Sequence, residues 1–230
     1  MLKNKSFILL SGICIAMGKT ESIRMLKRAW RFIWDDDSIY SWILNVVLAF
    51  VLIKFIVYPV LGFALQTNYP IVAVVSSSME HDTNFDGWWQ SSAFCSQQYC
   101  SQSEFYSLYG ITKDSFLGYK FRNGFRRGDI MILYGSKPSD LKPGDVLVFK
   151  TARPDPIIHR IVQKTAGING FVFQTKGDHN PNSINAGDLN EITISEDQLI
   201  GKAVFRVPYL GYVKIWSVDI FNFLVGRSTQ

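Results

Sequence analysis

Residues 71–80 read IVAVVSSSME: five apolar residues, four of them Val or Ile, run into Ser76, Ser77 and Ser78 before Met79 and Glu80. A β-branched run of this kind suits a buried strand. A serine hydroxyl is a poor nucleophile until a base removes its proton, and the base must titrate near working pH. The chain has three histidines. His81 and His179 fall in polar turns and read as solvent-exposed, whereas His159 lies inside the apolar run PIIHRIV. A carboxylate holding the second ring nitrogen would fix the tautomer of such a base. Asp178 in TKGDHNP and Asp188 in NAGDLN are the candidates near turns. The chemistry open to this set is acyl transfer. The plainer readings are a strand closed by a polar turn and a core histidine bonded to a backbone carbonyl.

The elements that must position these residues divide by composition. Residues 39–64, IYSWILNVVLAFVLIKFIVYPVLGFA, match the ~20 apolar residues needed to cross a bilayer. Trp42 and Tyr58 sit near the ends, where amphipathic rings favour the interface. Lys54 lies late enough for its stem to snorkel outward, and Pro59 is expected to mark the exit. Lys and Arg outnumber acids before residue 40, so residues 1–38 are read as a cytoplasmic basic segment and the chain beyond 64 as extracytoplasmic. The apolar stretch 6–17 is short for a span and resembles a signal-peptide core followed by a poor cleavage site.

Beyond residue 65, short β-branched and aromatic runs bounded by Gly, Pro and Asp predict a mainly β fold over 65–211, a small barrel or coiled pair of sheets. Residues 82–126 are polar, aromatic and poor in strand pattern, and read as an insertion with a short helix around 103–109. Trp88 and Trp89 are expected to be packing residues. Residues 212–230 are read as a segment lying on a membrane surface, since Lys214, Asp219 and Asn222 interrupt its apolar run.

A net charge of +5 allows nucleic acid as a partner, but no basic run with interleaved aromatics and no nucleic-acid motif is present, so none is expected. Three cysteines make no complete framework. Cys95 and Cys100 form either a local disulfide or two free thiols, and no second ligand pair supports zinc.

Taken in order, SSSME after an anchor, then GDVLVF, IIHRIV, TKGDHNP and IGKAVFRVPYLGYVKI resemble signal peptidase I, in its archaeal and endoplasmic-reticulum branch, which uses histidine where bacterial enzymes use lysine. The resemblance spans about residues 40–216 without the insertion. It implies a membrane-anchored serine endopeptidase that removes signal peptides from exported preproteins, without cofactor or metal. Ser78 would be the nucleophile, His159 the general base, and Ser76 with the Ser78 amide the oxyanion hole. The acid stays open between Asp178, which matches the family's Gly-Asp motif, and Asp188. The family's later Asp falls here on Ile184, and Ser77 stands where the family has glycine. Expected partners are signal peptides and the lipid bilayer, with a secretion translocase or accessory subunits as further candidates. The expected location is the cell membrane, single-pass. The competing reading is a non-catalytic anchored β-domain in a secretion complex.

Overall fold

The computed structural model describes residues 21–216 apart from 22, 26, 29, 169 and 213–215. The apolar stretch 6–17 and nearly all of the C-terminal segment 212–230 lie outside the described residues.

The chain divides into two units, 1–59 and 60–230. One helical run, residues 39–64, is long and apolar enough to cross a membrane, with a mean hydropathy of 2.5 and none of its most apolar window buried in protein. It comprises α1 (Ile39–Leu52), a π-helical stretch (Ile53–Val57) and α2 (Tyr58–Ala64). The Ser38 hydroxyl caps its start by accepting from the Ser41 amide. Pro59, expected to mark the exit from the membrane, does not interrupt the helix. The widened π turn lies directly before it, where a proline would otherwise clash with the preceding turn, and the helix continues to Ala64.

The second unit is mainly β. A six-stranded antiparallel sheet runs in the order β1-β4-β10-β5-β6-β7, built from β1 (Ile71–Ala73), β4 (Ile130–Tyr134), β5 (Val146–Phe149), β6 (Ile157–Gly167), β7 (Gly170–Lys176) and β10 (Leu199–Val207). Among the described residues the ladder does not close into a barrel: β1 and β7 are its two edges. β4 alternates, burying Met131 and Leu133, as a strand with one covered face should. β5 is buried at all four positions because core lies on both of its sides. Val146 and Val148 pack with Val74, Met79 and Phe125, while Leu147 and Phe149 pack with Ile161, Phe173 and Ile194.

The insertion folds as α3 (Phe85–Trp89), the hairpin β2 (Ser92–Cys95) and β3 (Gln98–Ser101), α4 (Gln102–Ser107) and α5 (Lys113–Leu117). Its helices are too short to show periodicity, but each has a polar cap: Asn84, Ser101 with Glu104 as a capping box, and Thr112. Trp88 and Trp89 are buried packing residues, joined by Phe105, Tyr106 and Phe116. A bulge in β6 between Ile161 and Gln163 turns Val162 into this aromatic core, which locks the insertion onto the sheet. Cys95 and Cys100 are joined as a disulfide across the hairpin, with Cα atoms 5.8 Å apart.

Candidate active site

The serine cluster follows edge strand β1. The Ser77 carbonyl accepts from the Glu80 amide at 2.9 Å, so the cluster does form a polar turn. Its hydroxyls do more than close that turn. Ser77 is not among the residues with positive φ, so the missing glycine imposes no backbone strain.

His159 sits near the start of β6, opposite Leu147 of β5, and is 4% exposed. Its Nε2 lies 2.8 Å from Ser78 Oγ although the two residues are 81 positions apart. Ser76 Oγ lies 3.0 Å from Ser78 Oγ. Ser78, His159 and Ser76, the three residues singled out as nucleophile, base and oxyanion donor, thus stand together.

The carboxylate beside His159 Nδ1 is Glu191, which the sequence reading did not single out. Its Oε1 also accepts from Thr175 Oγ1 at 3.0 Å, and Oε2 from the Ile184 amide at 2.8 Å. Because a carboxylate only accepts, Nδ1 must carry the proton, which leaves Nε2 free to accept one from Ser78. Glu191 arrives there through the hairpin of β8 (Asn185–Ala186) and β9 (Leu189–Asn190), whose Gly187 has φ 60°. That hairpin returns the chain so that the Glu191 amide meets the Ile184 carbonyl at 2.8 Å. The register of a Gly-Asp turn between Ala186 and Leu189, followed two residues further, was the available signal for Glu191.

Both carboxylates named from sequence are engaged elsewhere. Asp188 Oδ1 meets Arg153 Nε at 3.0 Å, with both side chains about half exposed. Asp178 is fully buried, with Oδ1 receiving Arg160 Nε at 2.9 Å and Tyr106 Oη at 3.0 Å. Its Oδ2 receives Arg160 Nη2 at 2.6 Å and faces His81 Nε2 at 3.3 Å. His81 is not the exposed turn histidine its polar neighbours suggested: its ring stacks on Trp88 at 3.7 Å and the side chain is 2% exposed. His179 does stay near solvent, its side chain 44% exposed and 3.5 Å from Asp82.

Burial alone would raise the Asp178 pKa, but the Arg160 guanidinium and the bond from His81 hold the carboxyl well below the usual carboxylate range. The folded-state pKa therefore lies below the unfolded value of about 3.9. The stabilisation is complete above that value and is lost as pH falls through the folded one. Asp178→Ala would leave Arg160 buried without its counter-charge, and a loss of about 3–5 kcal/mol in denaturant unfolding is expected. A loss below about 1 kcal/mol would show that the pair carries little of the fold.

A groove of about 1010 Å³ runs past the serine, with Ala73 and Val75 on one side and Ile157, Ile158 and His159 on the other. Among the described residues, no group of three or more His, Cys, Asp or Glu side chains is disposed to hold a metal ion.

No family model matches the chain. It is similar to the signal peptidase complex catalytic subunit SEC11 of Plasmodium falciparum (isolate 3D7), 35% identical over 97 residues, which is 40% of this chain and 51% of that protein. SEC11C of Homo sapiens is 31% identical over 104 residues, 43% of this chain and 53% of its own length. SEC11 of Metarhizium acridum is 33% identical over 98 residues, 40% and 55% respectively. The chain thus spans about half the length of the curated relatives it matches. Over that shared stretch it is similar to signal peptidase complex catalytic subunits, in keeping with the branch of signal peptidase I that its ordered motifs resemble.

Proposed function

We propose that this chain is a membrane-anchored serine endopeptidase that removes N-terminal signal peptides from exported preproteins. The observation that carries this reading is the 2.8 Å contact between Ser78 Oγ and His159 Nε2. His159 takes the Ser78 proton as Oγ attacks the scissile carbonyl, and the imidazolium that forms is stabilised by Glu191. The tetrahedral oxyanion is received by Ser76 Oγ and the Ser78 amide, a contribution of about 3–4 kcal/mol per well-placed donor. His159 then gives its proton to the leaving amine. An ester between Ser78 and the signal fragment remains until His159 activates a water to hydrolyse it.

Edge strand β1 supports the binding mode. An extended substrate can pair with its free side and run along the groove, where Ala73, Ile157 and Ile158 favour small residues before the cut. The relatives are named as subunits of a complex, which supports accessory subunits as partners here. The basic residues before residue 40 support a cytoplasmic N-terminus and an extracytoplasmic catalytic unit. The disulfide fits an oxidising compartment.

The test is cleavage of a preprotein by the full chain purified in detergent, with the new N-terminus sequenced. A single cut after a small residue at the end of the signal peptide is expected. Tight binding of preprotein with no cut would instead favour a non-catalytic docking domain.

A further inference from the structure

Lys176 ends β7 and is 0% exposed, although an ammonium is costly to bury. Burial brings its pKa down to about 7, against the opposing fields of Asp178 and Glu191. The side chain spends its donors on an unusual set. Nζ donates to the Gly177 carbonyl at 3.0 Å, the Asp178 carbonyl at 3.4 Å and Gln102 Oε1 at 2.8 Å. Two consecutive peptide planes therefore turn their oxygens toward one ammonium.

The other ends of those planes matter more. In a trans peptide the C=O and the following N–H point in opposite directions, and no cis bond occurs here. With the Gly177 oxygen on Lys176, the Asp178 amide is aimed away from it and donates to Met79 Sδ at 3.3 Å. With the Asp178 oxygen on Lys176 and on Trp88 Nε1 at 3.0 Å, the His179 amide donates to the Ser78 carbonyl at 2.9 Å. The approach is so close that a Cβ on Gly177 would stand 2.7 Å from the Ser78 carbonyl oxygen. Both Gln102 and Trp88 belong to the insertion.

We propose that Lys176 is a positioning residue: by gathering two carbonyls it aims two amides at the Ser78–Met79 turn, and the insertion supports it with Gln102 on the ammonium and Trp88 on the Asp178 carbonyl. This rests on Ser78 being the nucleophile. It gives the insertion a task at the site although none of its side chains lines the groove beside Ser78.

Lys176→Met keeps the length of the side chain and removes every donor. Two measurements on the full chain in detergent test the proposal. Amide exchange followed by mass spectrometry should accelerate at residues 177–180 by about tenfold or more, with β4 and β5 unchanged. In preprotein cleavage, kcat should fall about 10–100-fold with KM within about twofold, as for a nucleophile displaced by a fraction of an ångström. Trp88→Phe removes one donor from the Asp178 oxygen and should show the same pattern more weakly. It decides the matter if Lys176→Met does not fold. Unchanged exchange at 177–180, acceleration spread evenly over β4 and β5, or an unchanged kcat in a folded variant would each overturn the proposal. A wild-type chain that cleaves nothing would remove the protease reading and with it the positioning role, whereas the exchange measurement, which needs no activity, separately decides whether Lys176 orders residues 177–180.

Discussion

Ser78→Ala is expected to lower kcat for preprotein cleavage by about 10⁶-fold, and His159→Ala by about as much. The double variant should be no worse than either single one. The reason is that the two groups act as one device: a hydroxyl without a base does not attack, and a base without a hydroxyl has no proton to take. Residual rate then comes from the oxyanion donors and from binding along β1, which neither substitution touches. The fold should survive, because the serine turn is held by its backbone. The Ser78 carbonyl accepts from the His179 amide, and the Ser77 carbonyl from the Glu80 amide, whatever side chain stands at 78. KM should therefore change little while kcat collapses. Retained cleavage in Ser78→Ala would remove the serine from the chemistry. Additive losses in the double variant would mean that the two residues serve separate steps.

The pairing of Ser78 with His159 was legible because each lies in a short motif whose surroundings announce it. Hydroxyls directly after an apolar strand, and an imidazole inside another, are both local facts. Glu191 was not legible, because its role depends on register. Nothing in NAGDLNE marks the last residue as buried until the two-residue turn is counted and Glu191 folds back on Ile184. The resemblance would put an acid at Ile184, where none stands, while the hairpin brings the Glu191 carboxylate beside Ile184 and His159. His81 misled for a related reason: its polar neighbours describe a turn, but burial comes from Trp88, which stacks on it from a separate helix. The sheet was readable from β-branched runs, whereas the insertion's five- and six-residue helices give caps without periodicity. The π turn before Pro59 was not legible, because propensity carries no information about a widened turn that accommodates a proline inside a helix.

Glu191→Gln should lower kcat by about 10⁴-fold, more than its mild chemistry suggests. The orientation of the new amide is dictated by a group that cannot change. The Ile184 N–H, 2.8 Å from Oε2, is an obligatory donor and must be met by the glutamine oxygen. The NH₂ is then turned toward His159 and Thr175. The threonine hydroxyl can rotate to accept, but the imidazole can accept at Nδ1 only by moving its proton to Nε2. That proton points at Ser78 Oγ, so the base is occupied before the reaction begins. Loss of the carboxylate charge also removes the stabilisation of the imidazolium formed during attack. Asp188→Asn, by contrast, breaks only a half-exposed pair with Arg153 and should leave kcat within about twofold. Asp178→Asn should act mainly on unfolding, since that carboxylate answers Arg160 rather than the base. Wild-type turnover in Glu191→Gln together with a collapse in Asp188→Asn would transfer the acid's role to Asp188. It would require the β8–β9 hairpin to repack so that the Arg153 pair opens during turnover.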